Sequence, residues 1–261
     1  MEVFVASVGI IGPGLDGWAA AQPILAGLTA YRPMPISRAI PDILSAAERR
    51  RSSQSARLAI LAAQDALVAG GLSGDEIAAV FASSDGDGAI TQEICESLAG
   101  SAREVSPTSF HNSVYNAPAG YWSIATRSHL PSTSVCAYDV SFAAGLIEAA
   151  VYATVERQPV MLIASDLPFP VPLHTIRPVD EIFAAAFLLC PTPSGKSVMR
   201  WEIELEPRRT ATAFPEGLPE SLRSNPAARC LPLLAVLARR RAETVVLEYS
   251  DDTDLVVQCE P

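Results

Sequence analysis

Between Ser132 and Ala153 the spacing of the residues changes once, from the two-residue period of a strand to the three- and four-residue period of a helix. Ser132-Thr133-Ser134-Val135 alternates small polar and β-branched side chains, and Phe142, Leu146, Ala149 and Ala150 then recur at helical intervals. A strand that runs directly into a buried helix leaves one short turn, Cys136-Ala137-Tyr138-Asp139, at the helix N-terminus. Free backbone N–H groups and the positive end of the dipole favour an anion there. The spacing predicts a helix beginning near Asp139, with Asp139 as an N-cap worth ~1 kcal/mol. A cysteine at such a turn would be an activated nucleophile; an aspartate is a poor acyl acceptor.

The rest of the chain bounds what this unit serves. At 261 residues and 49% hydrophobic content, the chain is long enough for one large domain, or one domain with an appendage. No run approaches the ~20 apolar residues of a membrane span, and Met1-Glu2-Val3-Phe4-Val5 does not read as a signal peptide. Five scattered cysteines, Cys95, Cys136, Cys190, Cys230 and Cys259, without a CxxC pair, argue against a disulfide framework or a zinc site and for a reducing cytoplasm. The net charge of −10 disfavours nucleic acid and anionic membranes as partners. Two arginine triplets, Arg49 to Arg51 and Arg239 to Arg241, read as solvated faces.

In order, Met1 to Ile11 reads as a strand ending at Gly12-Pro13-Gly14, a turn whose spacing does not fit a dinucleotide site. Gly17 to Leu28 is a short helix, Tyr31 to Pro41 is irregular, and Ser45 to Ala69 is one long helix ended by Gly70-Gly71. Ala78 to Ala82 is a buried strand. Its following loop, Ser83 to Gly88, lacks the spacing of a calcium site. Ala89 to Leu98 is a helix, Pro107 to Asn112 an extended segment, and Ser113 to Ser128 a helix. Pro159 to Ser165 and Ala184 to Cys190 are buried strands on either side of the proline-rich Asp166 to Pro178. Beyond Pro191 the pattern predicts a strand at Trp201 to Leu205, a loop at Pro207 to Pro226, a helix at Leu231 to Arg241 and a closing hairpin around Asp251-Asp252.

The run Asn116-Ala117-Pro118-Ala119-Gly120, then Ser123-Ile124, then Pro131 to Val135, resembles the segment of β-ketoacyl synthases that leads into their catalytic cysteine. The resemblance spans roughly Val3 to Cys190. It implies an α/β, thiolase-like layered fold, with residues 1–190 as the ketoacyl-synthase N-terminal-like domain and 191–261 as a short C-terminal extension packing on it. Counted with the family's spacing, the nucleophile position falls on Asp139, and Cys136 lies three residues too early.

The family's second half supplies two catalytic histidines, and this chain stops too early to contain it. Its only histidines, His111, His129 and His174, precede that point. Acyl transfer needs a nucleophile, a group that manages protons and donors for the oxyanion. With the first two missing, the resemblance implies a non-catalytic subunit without cofactor or metal: a chain-length factor like those paired with the ketosynthases of aryl polyene assembly. Its implied partners are an active ketosynthase, in a heterodimer, and an acyl carrier protein reached through that ketosynthase. The same mapping assigns Thr108, Ser109, Phe110, His111, Asn116, Ser134, Cys136 and Tyr138 to the interface and acyl tunnel, with the small Ser109 leaving room for a long product.

Other readings stay open. Asp139 or Cys136 would serve a stand-alone acyl-thioester hydrolase or decarboxylase, or the chain would be an acyl-binding module. Cys136 otherwise reads as a buried strand cysteine, His111 as structural, and His129 and His174 as loop residues.

Overall fold

Val160, Leu162 and Ala164 enter one apolar cluster and Met161 and Ile163 another, so this strand is buried on both faces. Such a strand needs cover on both sides, and helices supply it. In the computed structural model, which describes residues 1–38, 40–101 and 103–261, the strands are β1 (Glu2–Ile11), β2 (Ala78–Ala82), β3 (Ser132–Val135), β4 (Val160–Asp166), β5 (Phe183–Cys190), β6 (Met199–Pro207), β7 (Glu243–Glu248) and β8 (Thr253–Glu260). The helices are α1 (Trp18–Leu25), α2 (Ala46–Arg51), α3 (Gln54–Gly70), α4 (Gly88–Ala99), α5 (Pro107–Asn112), α6 (Ala117–Thr126), α7 (Ser141–Glu156), α8 (Leu173–Ile176), α9 (Glu220–Arg223) and α10 (Leu231–Arg239).

The eight strands form one sheet in the order β3-β2-β4-β5-β1-β6-β8-β7. β3, β2 and β4 run parallel, and every other pairing is antiparallel. Leu58, Leu61, Ala62 and Ala66 of α3 pack on one face with Ile163 and Leu188. On the other, Phe142, Leu146 and Ala149 of α7 join Leu162, Phe187 and Trp201. Phe142, Phe187 and Trp201 meet as tilted rings with centroids 5.7 and 5.5 Å apart. Glycine lets both layers approach closely. A Cβ at Gly9 would lie 1.9 Å from the Ala62 carbonyl oxygen of α3, and one at Gly145 would lie 2.8 Å from Ala82 Cβ of β2.

The residues after Pro191 continue the sheet. β6 pairs with β1, Trp201 opposite Val3, and Leu234, Val245 and Leu255 bury in the same cluster as α7.

Several local expectations are corrected. Pro107 to Asn112 is helical, not extended: Ser106 Oγ accepts from Ser109 N at 3.4 Å, and Pro107 occupies the first turn, where its missing N–H costs nothing. The next helix therefore starts at Ala117, not Ser113. The long helix over Ser45 to Ala69 is two. Ser52 and Ser53 are both extended, and Ser53 Oγ accepts from Ala56 N to start α3 afresh. Asp166 belongs to β4, His174 lies in α8, and α9 interrupts the loop before Pro226.

Candidate functional site

β3 is the outermost strand of its end of the sheet, pairing only with β2. Around it the chain leaves large apolar side chains in solvent: Phe110 at 69% exposure, Val114, Tyr115, Ile124 and Tyr138. α5 carries Thr108, Ser109, Phe110 and His111. Ser109 Oγ donates to Glu93 Oε1 of α4 at 2.7 Å, and the exposed His111 ring stands edge-on to Tyr121, centroids 6.0 Å apart. Thr108, His111, Tyr121 and Ile124 border a hollow of about 280 Å³ between α5 and α6.

Asn112 anchors this helix. Buried at 4% exposure, its Nδ2 donates to the carbonyls of Arg51 at 2.8 Å and Thr108 at 2.9 Å. Sequence reasoning passed over it, because its partner Arg51 is sixty-one positions away. Asn116 lies exposed at the start of α6 with its side chain capping nothing, and Ser134 is half-buried in β3 with no partner for its hydroxyl.

The turn from β3 to α7 departs from expectation. Asp139 is not the N-cap. Val140 holds that position without a side-chain bond, and Ser141 ties the turn instead, its Oγ accepting from Ala137 N at 2.9 Å and donating to the Tyr138 carbonyl at 2.6 Å. Tyr138 takes a left-handed φ of 53°, rare for a residue with a Cβ. The Asp139 carboxylate turns outward to two guanidiniums: Arg177 donates to Oδ1 at 2.8 Å and Arg229 to Oδ2 at 3.4 Å. Arg177 also stacks on the Tyr138 ring, 3.6 Å from its centroid, and Arg229 continues to Glu248 at 2.6 Å. A cavity of about 320 Å³ opens beside Asp139, floored by Phe142, Phe214 and Leu247.

Cys136 is exposed beyond the end of β3 rather than buried within it; its thiol donates to the Ser84 carbonyl at 3.2 Å. The adjacent Cys136 thiol, helped by partial burial, pushes the Tyr115 hydroxyl up to about 12. His129 is exposed, and His174 pairs with Asp180 at 3.1 Å. Among the described residues no histidine hydrogen-bonds to Asp139 or Cys136, and no cluster of His, Cys, Asp and Glu converges on a metal position.

Asp166, at the carboxyl end of β4, is the buried acid that sequence reasoning missed. Its Oδ1 accepts from Ser84 N at 2.8 Å, Ser84 Oγ at 2.9 Å and Ser83 Oγ at 3.0 Å, while Oδ2 has no partner. Burial pushes it up to about 6 against the opposing pull of those bonds and of Arg177. The run Ser83-Ser84 before a loop and Ile163-Ala164-Ser165-Asp166 after a strand were the available signals, without a spacing rule to join them.

Residues 29–246 match the N-terminal domain family of the β-ketoacyl synthases. The chain resembles the ketosynthase ApeO in complex with its chain length factor ApeC from Xenorhabdus doucetiae, with a TM-score of 0.73 and 21% identity over 99% of both chains. It also resembles the ishigamide ketosynthase/chain length factor, with a TM-score of 0.76 and 14% identity over 99% of both. A β-ketoacyl synthase from Burkholderia phymatum STM815 matches with a TM-score of 0.63 and 12% identity, over 91% of this chain and 70% of that one. No curated protein matches. The fold is that of the thiolase-like ketosynthases. Among the described residues no helix is long and apolar enough to cross a membrane.

Proposed function

Because the chain belongs to the β-ketoacyl synthase N-terminal domain family, we propose that it is the non-catalytic, chain-length-factor subunit of a heterodimeric ketosynthase in polyketide or aryl polyene elongation. It stabilises an active ketosynthase and shapes that enzyme's acyl tunnel. The acyl carrier protein docks mainly on the partner.

The observation that carries this reading is the β3 end of the sheet. An outer strand without charge, flanked by exposed Phe110, Tyr115, Ile124 and Tyr138, is a surface that soluble proteins ordinarily cover. Of the residues the family resemblance assigns to an interface, Ser134 lies in β3, Cys136 and Tyr138 lie just beyond it, Asn116 opens α6, which packs on β3, and Thr108 to His111 lie on α5, across a hollow from α6. The ties of Asp139 favour a structural over a chemical role. A carboxylate shared between Arg177 and Arg229 is held in place by both, which suits it to bracing the β3–α7 turn against the C-terminal segment.

The test is co-expression with the ketosynthase encoded nearest to it, followed by mass analysis and an elongation assay with and without this chain. The expected result is a one-to-one complex whose ketosynthase loses activity or changes product length when this chain is withheld. A lone, well-behaved protein that ignores the ketosynthase, or that hydrolyses acyl thioesters by itself, would sink the proposal.

A further inference from the structure

A cavity of about 490 Å³ opens between the end of β1, the first turns of α3 and the segment carrying Ile36 and Ile40. It shares no lining residue with the hollows beside Asp139 or between α5 and α6. Its size lies within the range of about 300–1,000 Å³ typical of small-molecule pockets.

The walls select for chemistry. Ile11, Ile36, Leu58, Leu61 and Ile182 are branched aliphatics, and among the described residues no aromatic ring lines the cavity, so none offers a stacking surface to a flat ligand. Nor, among them, does any acidic side chain line it. Of its two arginines, Arg38 is taken: its guanidinium reaches both oxygens of Asp65 at 2.7 and 2.8 Å and Asp16 at 2.9 Å. Arg57 is half-buried and, among the described residues, makes no ion pair or side-chain hydrogen bond. A guanidinium with its fork unfilled at an aliphatic pocket suits one planar anion, bound through two parallel N–H···O bonds.

We infer that this cavity binds a medium-chain aliphatic carboxylate, the chain against Leu58, Leu61 and Ile182 and the head on Arg57. The assignment does not depend on a ketosynthase partner. A doubly charged head would leave one charge without a countercharge, because Arg38 is already balanced by two carboxylates.

Titration calorimetry of the full chain with octanoate and with octanol tests this. Saturable one-to-one binding of octanoate is expected, with octanol at least tenfold weaker, since a hydrogen-bonded charge pair contributes on that order. Arg57→Gln should weaken octanoate about tenfold and leave octanol, the circular dichroism spectrum and the melting temperature unchanged. Absence of saturable octanoate binding, equal affinity for the alcohol, or an Arg57→Gln variant that binds octanoate as tightly as the parent would each overturn the assignment.

Discussion

The sheet has two outer edges, and the chain treats them oppositely. At the β7 edge its own backbone closes the strand: Thr212 N donates to the Val246 carbonyl at 2.9 Å and Thr212 Oγ1 accepts from Val246 N at 2.8 Å. Nearby, Arg208 N and Arg209 N are held by the Asp252 carbonyl and by Asp254 Oδ2. At the β3 edge no segment pairs with the outer side among the described residues, and the neighbouring helices turn Phe110 and Ile124 into solvent. An exposed strand edge is a template for another chain, so the bare β3 edge, not the blocked β7 edge, is where the proposed partner would dock. The contrast is sharper because both edges belong to one sheet.

The largest expected effect concerns the buried acid two strands in from the open edge. Asp166 lies at the carboxyl end of β4, two strands in from β3. Its folded pKa, about 6, stands above that of the unfolded chain, so the folded state keeps the proton longer. Its contribution to stability is complete below about pH 4 and is lost as pH rises to about 6, roughly 3 kcal/mol in all. Denaturant titrations at pH 4.5 and 7 should show about 2 kcal/mol of that fall in the parent and a nearly flat profile in Asp166→Asn. Equal slopes would mean that the acid titrates normally.

Next is the open edge itself. Phe110→Asp, on a side chain 69% exposed, should leave melting unchanged yet weaken partner binding by about 2 kcal/mol, roughly thirtyfold, measured by calorimetry on the co-expressed pair. Unchanged binding would move the interface off this face. At the closed edge the opposite pattern is expected. Thr212→Val removes the acceptor for Val246 N and should cost about 1 kcal/mol, a drop of roughly 2–4 °C in Tm, with partner affinity unaltered.

The smallest effect concerns Asp139. Its carboxylate is 40% exposed, so removing it in Asp139→Ala should lower stability by roughly 0.5–1 kcal/mol, seen as a small shift in the denaturation midpoint. Thioester turnover by the chain alone should not change. A loss of hydrolysis in this variant would revive the reading of Asp139 as a catalytic group.

Much of the architecture was legible along the chain. β2 and β3 run from Ala78 to Ala82 and from Ser132 to Val135, the bounds their pattern predicts, because a short strand announces itself by period and by the turns around it. The hairpin around Asp251-Asp252 was likewise readable. Local misreadings came from residues with two uses. Pro107 reads as a breaker but starts α5, and Ser52-Ser53 lies inside a helical period yet holds two extended residues. Asp139 reads as a cap because aspartate commonly is one. Arg177 and Arg229, thirty-eight and ninety positions further on, claim it instead.

The sequence by itself determined the buried strands, most of the helices, the family resemblance and the carboxylate at the β3–α7 turn, since each rests on neighbouring residues and their spacing. Only the tertiary structure decided which sheet edge is closed, that Cys136 emerges into solvent, and that Asp166 is sealed with one oxygen unpartnered. These are properties of burial and of pairings between distant segments, and a residue's spacing along the chain does not record which distant segment will cover it.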